Sequence, residues 1–230
     1  QPFPHDPLHA SDEFKHTSNA GIYGDTVQEV DWSIGKILET LEDLNLSDNT
    51  LIFFSSDNGP WQQGNPGYAR GRKGLVYEGG QRVPFIARWP GKIPVGTKTD
   101  IPSMNIDLLP TILDIIGIPE PQDRVIDGKS IAEILHEPET SKPIPRPFYY
   151  FWSKKIKAVR ENQWKYHVKN RSDISTYVLM KYEPALYDLI KDPNESYDQT
   201  LHHPEKAKEL GEKIAKMEKE LKENLRGWKS

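Results

Sequence analysis

The sequence predicts an α/β domain followed by a smaller antiparallel subdomain, and three observations lead to this prediction. An amphipathic helical pattern over residues 22–44 is followed, after a short loop, by an almost wholly apolar run over residues 50–56. This order of helix, loop and buried strand is typical of α/β folds. Short aromatic strand patterns lie close together in the later part of the chain, where they indicate an antiparallel sheet. The proline-rich stretch 142–147 connects the two parts, so we predict domains over residues 1–140 and 141–230.

The first part carries the elements of the α/β domain. Apolar residues fall at helical spacing over residues 22–44, with Asp25 near the expected start of the helix. The run over residues 50–56 lacks polar alternation, which favours a parallel strand buried on both faces. Asp107 is expected to cap a short helix further along the chain. The remaining predicted elements are a loop over residues 61–72, a strand over 82–89, and short helices over 107–116 and 128–136.

The second part carries four short strands and one helix. Their close spacing favours a four-stranded antiparallel sheet. A helix over residues 204–225 places its apolar residues on one stripe, which is expected to cover one face of that sheet. The predicted strands are residues 148–152, 156–160, 164–168 and 185–189.

The composition limits the class of protein. With 36% hydrophobic residues, the 230-residue chain has enough apolar material for a folded core. The formal net charge of −4 and the pI of about 6.0 argue against a nucleic-acid partner that binds through charge. No window approaches the roughly 20 apolar residues of a membrane span. The absence of cysteine excludes disulfides, thiolate metal sites and a cysteine nucleophile within this chain. The chain opens on a proline-stiffened loop without an initiator Met, and we expect further chain to precede it.

Asp57 and Asn58 are the first candidates for a functional role. They directly follow the predicted buried strand, and ligands bind outside the carboxyl ends of strands in open α/β sheets. A carboxylate beside an amide oxygen suits a hard cation such as Ca²⁺ or Mg²⁺. The alternative is an ordinary hairpin turn, since Asp and Asn before Gly favour one. A Ca²⁺ site takes about 6–8 oxygen ligands, so these two residues cannot complete it.

Lys73 and His5 are the other candidates. Lys73 lies in a glycine-rich loop where the backbone can approach a ligand closely, and its ammonium suits an oxyanion. The alternative is a solvated loop lysine. His5 lies on a proline-rich loop and could protonate a leaving group near neutral pH. The alternative is an ordinary surface histidine, and His9 is a weaker rival on the same loop.

Taken together, several motifs resemble the sulfatase family, in particular its arylsulfatase A-like branch. The resemblance spans nearly the whole chain, from the first loop to about Glu195. Each motif is moderately specific, and their order and spacing together are strongly so. The motifs are Pro4–Leu8, Gly24–Asp31, Ser55–Pro60, Gly71–Pro84, Arg88–Gly91, Asn105–Thr111, Ile126–Gly128, Leu186–Leu189 and Lys191–Pro193.

The resemblance implies a role for each candidate residue. Asp57 and Asn58 match two ligands of the metal, Ca²⁺ or Mg²⁺, that binds the sulfate oxygens. Lys73 matches the lysine that contacts the sulfate and the leaving oxygen, and His5 matches the histidine that acts as general acid. It also implies that the first domain is the C-terminal part of an alkaline-phosphatase-like sheet flanked by helices.

One element of the family is absent from this chain. Sulfatases use a formylglycine made from the first residue of a Cys/Ser-x-Pro-x-Arg segment, which lies upstream of the histidine loop. The chain has no Cys and no Ser-x-Pro-x-Arg. We therefore expect the C-terminal half of a sulfatase, whose partner is the N-terminal half and whose substrate is a sulfate ester. Alone, it is expected to be inactive and to expose an apolar edge or face.

Two other functions stay open at this stage. A phosphate or phosphonate monoester hydrolase of the same superfamily is one, although its two-metal members typically carry Asp-His where this chain has Asp57 and Asn58. A non-catalytic fragment that binds sulfated glycans through the aromatic, basic stretch 154–171 is the other, against the alternative that this stretch is the polar face of a sheet. The resemblance to sulfatases implies a periplasmic, extracellular or lysosomal location.

Overall fold

The computed structural model of the protein describes residues 7–168, 170–171, 181–182 and 184–223. Within these residues, short 3₁₀ turns at Ser47–Asn49 and Asn105–Asp107 accompany five α-helices and eight strands. No described helix is both long enough and apolar enough to cross a membrane. The helices are α1 (Gly21–Asp43), α2 (Glu78–Gln81), α3 (Leu108–Ile115), α4 (Ala132–His136) and α5 (Pro204–Lys222). The strands are β1 (Ile52–Ser55), β2 (Phe85–Arg88), β3 (Phe148–Trp152), β4 (Lys155–Glu161), β5 (Trp164–His167), β6 (Asn170–Arg171), β7 (Lys181–Tyr182) and β8 (Ala185–Asp188).

The first helix and strand form where the sequence predicts them, with two corrections. Helix α1 begins at Gly21, and Asp25 lies one turn inside it, where its carboxylate accepts the backbone N–H groups of His16 and Ser18. The prediction that residues 50–56 form a parallel strand buried on both faces is wrong among the described strands, because β1 pairs antiparallel with β2 and its residues are only half-buried. An apolar run carries no information on the direction of the neighbouring strand.

Asp107 joins three segments instead of capping α3. Its carboxylate accepts the N–H of Met104 at 2.7 Å and that of Lys129 at 3.0 Å, and it pairs with both terminal nitrogens of Arg146. Asp107 is fully buried, and no side-chain hydrogen bond caps the start of α3. The expected cap is therefore wrong. A buried carboxylate is retained here because a guanidinium and two N–H donors compensate its charge.

The second part is an antiparallel sheet covered by α5, as predicted. The strand order is β3-β4-β5-β8, and every pair in it is antiparallel. Helix α5 packs on one face of this sheet, mainly against β4. Met217 and Leu221 of its stripe are half-buried against the same core, and the predicted stripe residue Leu225 lies outside the described residues. The core between helix and sheet consists of Ile156, Val159, Leu186, Ala207, Leu210 and Ile214.

The other face of this sheet packs against the segment that follows Lys73. Leu75 and Tyr77 form one buried cluster with Ala185 and Tyr187. Val76 forms another with Phe148, Tyr150 and Ala158 on β3 and β4. Residues of both predicted domains therefore share hydrophobic cores, and the boundary at residue 140 stays a prediction.

Candidate active site

The segment after β1 brings Asp57 and Asn58 to the end of that strand. Asp57 is exposed and Asn58 is half-buried. A hairpin turn at this point is excluded, because the partner strand β2 begins only at Phe85. The Ser56 hydroxyl donates to the carbonyl of Asn58 at 3.3 Å, and the Gly59 N–H donates to the carbonyl of Gly80 at 2.9 Å.

A backbone hydrogen bond places Lys73 beside this segment. The N–H of Lys73 donates to the carbonyl of Pro60 at 3.0 Å, three residues after Asp57. Lys73 is half-buried, which argues against the alternative of a fully solvated loop lysine. Gly71 and Gly74 flank it with φ angles of 83° and 91°, which only glycine adopts readily. The sequence-predicted Lys73, Asp57 and Asn58 thus belong to two loops that meet.

Glycines allow these loops to approach so closely. A Cβ atom on Gly59 would lie 2.1 Å from the Gly79 carbonyl oxygen, and one on Gly79 would lie 2.4 Å from the carbonyl oxygen of Gly71. Both distances are shorter than a Cβ contact can be, and backbone atoms cannot rotate away. The contact between the loops of Asp57 and Lys73 therefore depends on glycine at these positions.

Of the two candidate histidines, only His9 lies among the described residues. His5 falls outside the described residues. His9, its weaker rival, is exposed, and its carbonyl accepts the hydroxyl of Thr26 in α1 at 3.1 Å.

The oxygen donors of Asp57 and Asn58 suit a hard cation in type but do not make a complete site. Within the part of the chain that the structure describes, no three His, Cys, Asp or Glu side chains form a group that could hold a metal ion. Ca²⁺ takes about 6–8 oxygens and Mg²⁺ about six, so a cation at Asp57 needs further ligands. The oxygen atoms of Asp57 and Asn58 are suitable ligands for Ca²⁺ or Mg²⁺, but two residues are too few to complete its coordination.

A buried ion cluster lies directly behind the Lys73 loop. Lys165 of β5 is fully buried, and its Nζ lies 2.8 Å from Oε1 of Glu78 and 3.2 Å from Oε1 of Glu195. Nε2 of His167 lies 2.8 Å from the same Glu195 oxygen. Arg160 is 3.5 Å from the other carboxylate oxygen of Glu78. Two carboxylates thus face two permanent cations and one imidazole.

The charges in this cluster compensate each other. Burial alone would raise the pKa of Glu78, but the charge and hydrogen bond of Lys165, with Arg160, outweigh it and lower that pKa to about 2. Burial likewise opposes the charge on Lys165, yet Glu195 and Glu78 raise its pKa. Burial lowers the pKa of His167 in spite of Glu195, so the imidazole is neutral near pH 7 and donates its Nε2 proton to Glu195.

Glu195 connects this cluster to the Lys73 loop. Its second carboxylate oxygen accepts the N–H of Glu78 at 2.6 Å, at the first residue of α2. Its backbone carbonyl accepts a guanidinium N–H of Arg70 at 2.7 Å. The Gly79 N–H in turn donates to the carbonyl of Arg70 at 2.7 Å. Glu195, which lies far from Lys73 in the sequence, therefore holds both sides of the loop that carries Lys73.

The predictions did not include this cluster, although one signal was present. In Trp164–His167, Lys165 and His167 alternate with aromatic residues and therefore share one face of β5. That face is polar, as one interpretation of stretch 154–171 has it, but it is buried against the loop, which excludes glycan binding through these two residues. Lys165 and His167 can neither bind a glycan at the surface nor form a solvated sheet face.

Known proteins with similar sequences are sulfatases. Human steryl-sulfatase is 34% identical over 228 residues, which cover 83% of this chain and 38% of that protein. Canine N-acetylgalactosamine-6-sulfatase is 35% identical over 220 residues, which cover 84% of this chain and 42% of that protein. The chain thus spans about two fifths of the length of these curated relatives.

A solved structure and two family models also match this chain. A solved protein from work on glycosaminoglycan metabolism by Bacteroides thetaiotaomicron matches with a TM-score of 0.83 at 29% identity, over 94% of this chain and 48% of that one. The family model described as N-sulphoglucosamine sulphohydrolase, C-terminal, matches residues 68–226. The model described as Sulfatase matches residues 3–118, which include both loops of the candidate site. The chain that brings Lys73 against the Asp57 segment therefore belongs to the sulfatase family, as its C-terminal portion.

Proposed function

We propose that this chain supplies one side of the active site of a sulfatase that hydrolyses sulfate esters. The observation that carries the proposal is the hydrogen bond from Lys73 to Pro60, which holds the lysine loop against the Asp57 segment. A cationic side chain beside two hard oxygen donors is an arrangement suited to a sulfate group and its metal. The complete sulfatase of this proposal is this chain together with the segment that precedes it.

Each residue has one task in this proposal. Asp57 and Asn58 supply oxygen ligands to Ca²⁺ or Mg²⁺, and the remaining ligands come from the preceding segment. The cation, when bound, offsets charge on the sulfate oxygens. Lys73 offsets charge on the sulfate and on the leaving oxygen, and His5 donates a proton to that oxygen as the ester bond breaks.

The nucleophile belongs to the preceding segment in this proposal. A formylglycine needs a Cys or Ser in Cys/Ser-x-Pro-x-Arg, and this chain contains neither version. The N-terminal half is therefore the required partner, and a periplasmic, extracellular or lysosomal setting is proposed on family grounds.

The first test compares Lys73→Ala with wild type in the complete sulfatase. We expect kcat/KM for 4-methylumbelliferyl sulfate to fall about 100- to 1,000-fold, because one charge that stabilises the transition state is lost. Lys98→Ala is the matched control, since Lys98 is exposed on a loop and has no proposed role.

Three outcomes would contradict the proposal. One is full activity of Lys73→Ala. Another is faster hydrolysis of the corresponding phosphate ester than of the sulfate ester, which would favour the phosphatase alternative. The third is sustained turnover by residues 1–230 alone, because the proposal places the nucleophile outside this chain.

A further inference from the structure

The Lys73 loop is held from behind by residues that lie far away in the sequence. Glu78 and Glu195 are 117 positions apart, yet the Glu195 carboxylate accepts the Glu78 N–H at 2.6 Å. Helix α2 has no side-chain cap from its own N-cap residue, Tyr77. Glu195 therefore supplies the hydrogen-bond acceptor that the start of this short helix lacks.

The same helix fixes the loop that carries Lys73. The Gly80 N–H donates to the carbonyl of Tyr77 at 2.9 Å, and the Gly80 carbonyl accepts the Gly59 N–H. The side-chain amide of Gln81 donates to the carbonyl of Leu75 at 2.9 Å. A shift of α2 would therefore move both the Lys73 turn and the segment after Asp57.

Glu195 is itself held by the sheet and cannot shift freely. Its Oε1 contacts Lys165 and His167 of β5, and its Oε2 contacts the start of α2. Lys165 also lies 4.2 Å from the centre of the Tyr150 ring on β3. Buried charges of this kind keep one geometry, because any other arrangement leaves a charge without its partner.

From these contacts we infer that Glu195 and Lys165 are positioning residues for Lys73, acting through the start of α2. They do not touch the substrate in this inference. The inference rests on the proposed function, because it assigns a purpose to the position of Lys73 in sulfate ester hydrolysis.

The central experiment is a double-mutant cycle in the complete sulfatase. Glu195→Gln is suited to it because an amide cannot accept hydrogen bonds on both sides. Either the Glu78 N–H loses its acceptor, or Lys165 and His167 lose the acceptor that Glu195 provides. We expect kcat/KM for 4-methylumbelliferyl sulfate to fall about 10- to 100-fold, the range expected when a reacting group is displaced by about 1 Å. In the Lys73→Ala background the same substitution should change kcat/KM less than about twofold, because its target is already absent.

A control separates positioning from stability. Leu210→Ala destabilises the same sheet from its opposite face, where Leu210 of α5 is fully buried against the strands. It should lower the melting temperature and leave kcat per folded molecule unchanged. Glu195→Gln should lower kcat at temperatures where the protein is fully folded.

A second variant covers the case in which Glu195→Gln does not fold. Arg70→Lys removes the guanidinium bond to the Glu195 carbonyl from the exposed side of the loop and keeps the positive charge. It should also lower kcat/KM, by a smaller factor, and again only when Lys73 is present.

The outcomes distinguish this inference from the proposed function. If Lys73→Ala has no effect, the proposed function fails. If Lys73→Ala lowers activity but Glu195→Gln or Arg70→Lys causes the same further loss in both backgrounds, the positioning inference is overturned and the cluster only stabilises the fold.

Discussion

At the scale of single residues, Gly79 shows how little room the candidate site leaves. A Cβ atom there would lie 2.4 to 2.8 Å from the carbonyl oxygens of Gly71, Arg70 and Ala69. All three are backbone atoms of the Lys73 loop, which cannot rotate out of the way. The absence of a side chain at this position is therefore a condition for the loop to close on α2.

We predict that Gly79→Ala destabilises the complete sulfatase by about 1–3 kcal/mol, the usual cost of overpacking. Denaturant unfolding measures the change. Gly35→Ala is the matched control, because Gly35 lies inside α1 and a Cβ atom there would meet nothing within 4 Å apart from the nearby backbone of its own helix. Replacing a helical glycine by alanine favours the helix by up to about 1 kcal/mol. Equal effects of the two substitutions would show that the loop adapts to the added methyl group.

The sequence could supply some residues of this site and not others. Asp57, Asn58 and Lys73 belong to local motifs, so their order along the chain was sufficient to single them out. Glu195 contacts Glu78 across 117 residues, and no local pattern contains that distance. Charged residues are rarely buried unless they are paired, so a lysine is expected at the surface until its partners are known.

At the scale of secondary-structure elements, β5 is a strand whose apolar face and polar face are both packed against other parts of the protein. Trp164 and Tyr166 pack towards the core under α5, while Lys165 and His167 face the loop after Lys73. Alternation predicted the strand and its polar face, and it carried no signal that this face is buried. That face is buried because the loop brings Glu78, and the segment after β8 brings Glu195, to compensate the charges.

The neutral His167 predicts a pH dependence of stability. Its pKa is lowered by burial from the ordinary value of 6.5, so the unfolded chain binds a proton at a higher pH than the folded one. Stability is therefore full above about pH 6.5 and falls as the pH drops below it, by at most about 1.4 kcal/mol per pH unit for one proton. Unfolding of the complete sulfatase at pH 7, 6 and 5 measures this slope.

His167→Gln tests the source of that slope. Glutamine can still donate to Glu195 but does not titrate. This position should then no longer contribute to the change in unfolding free energy between pH 7 and pH 5. The lowered pKa values of Glu78 and Glu195 act in the same direction, but only below their ordinary value of 4.5. An unchanged slope in His167→Gln would assign the pH dependence to other groups.

The elements themselves were largely predictable, and their partners were not. The bounds of the predicted helices and strands agree with the observed ones within a few residues, whereas α2, β6 and β7 were not predicted. The predicted direction of β1 was wrong because pairing is decided by residues thirty or more positions away. The sheet of the second part was right largely because β3, β4 and β5 follow one another directly in sequence, and short connections favour antiparallel pairing.

At the scale of the whole molecule, the first part has apolar surface that no described residue covers. Val27 and Ile37 of the predicted α1 stripe are 42% and 58% exposed, and the buried residues of α1 are Gly24, Asp25 and Thr26. Ile86 on β2 is 61% exposed. Exposed apolar residues along one helix stripe are suited to an interface. The preceding segment of the proposed complete sulfatase is the occupant that we expect.

From this expectation we predict that Ile86→Lys affects residues 1–230 alone and the complete sulfatase differently. Ile86→Lys should reduce self-association of residues 1–230 alone, because it places a charge on an exposed strand. In the complete sulfatase the same lysine would be covered, and we expect a loss of about 2 kcal/mol from burial of the polar group. Light scattering measures the first effect and denaturant unfolding the second. Val95→Lys, at a loop position that is 97% exposed, should change neither quantity. Equal stability of the complete sulfatase with and without Ile86→Lys would mean that β2 stays open to solvent, and the preceding segment would have to pack elsewhere.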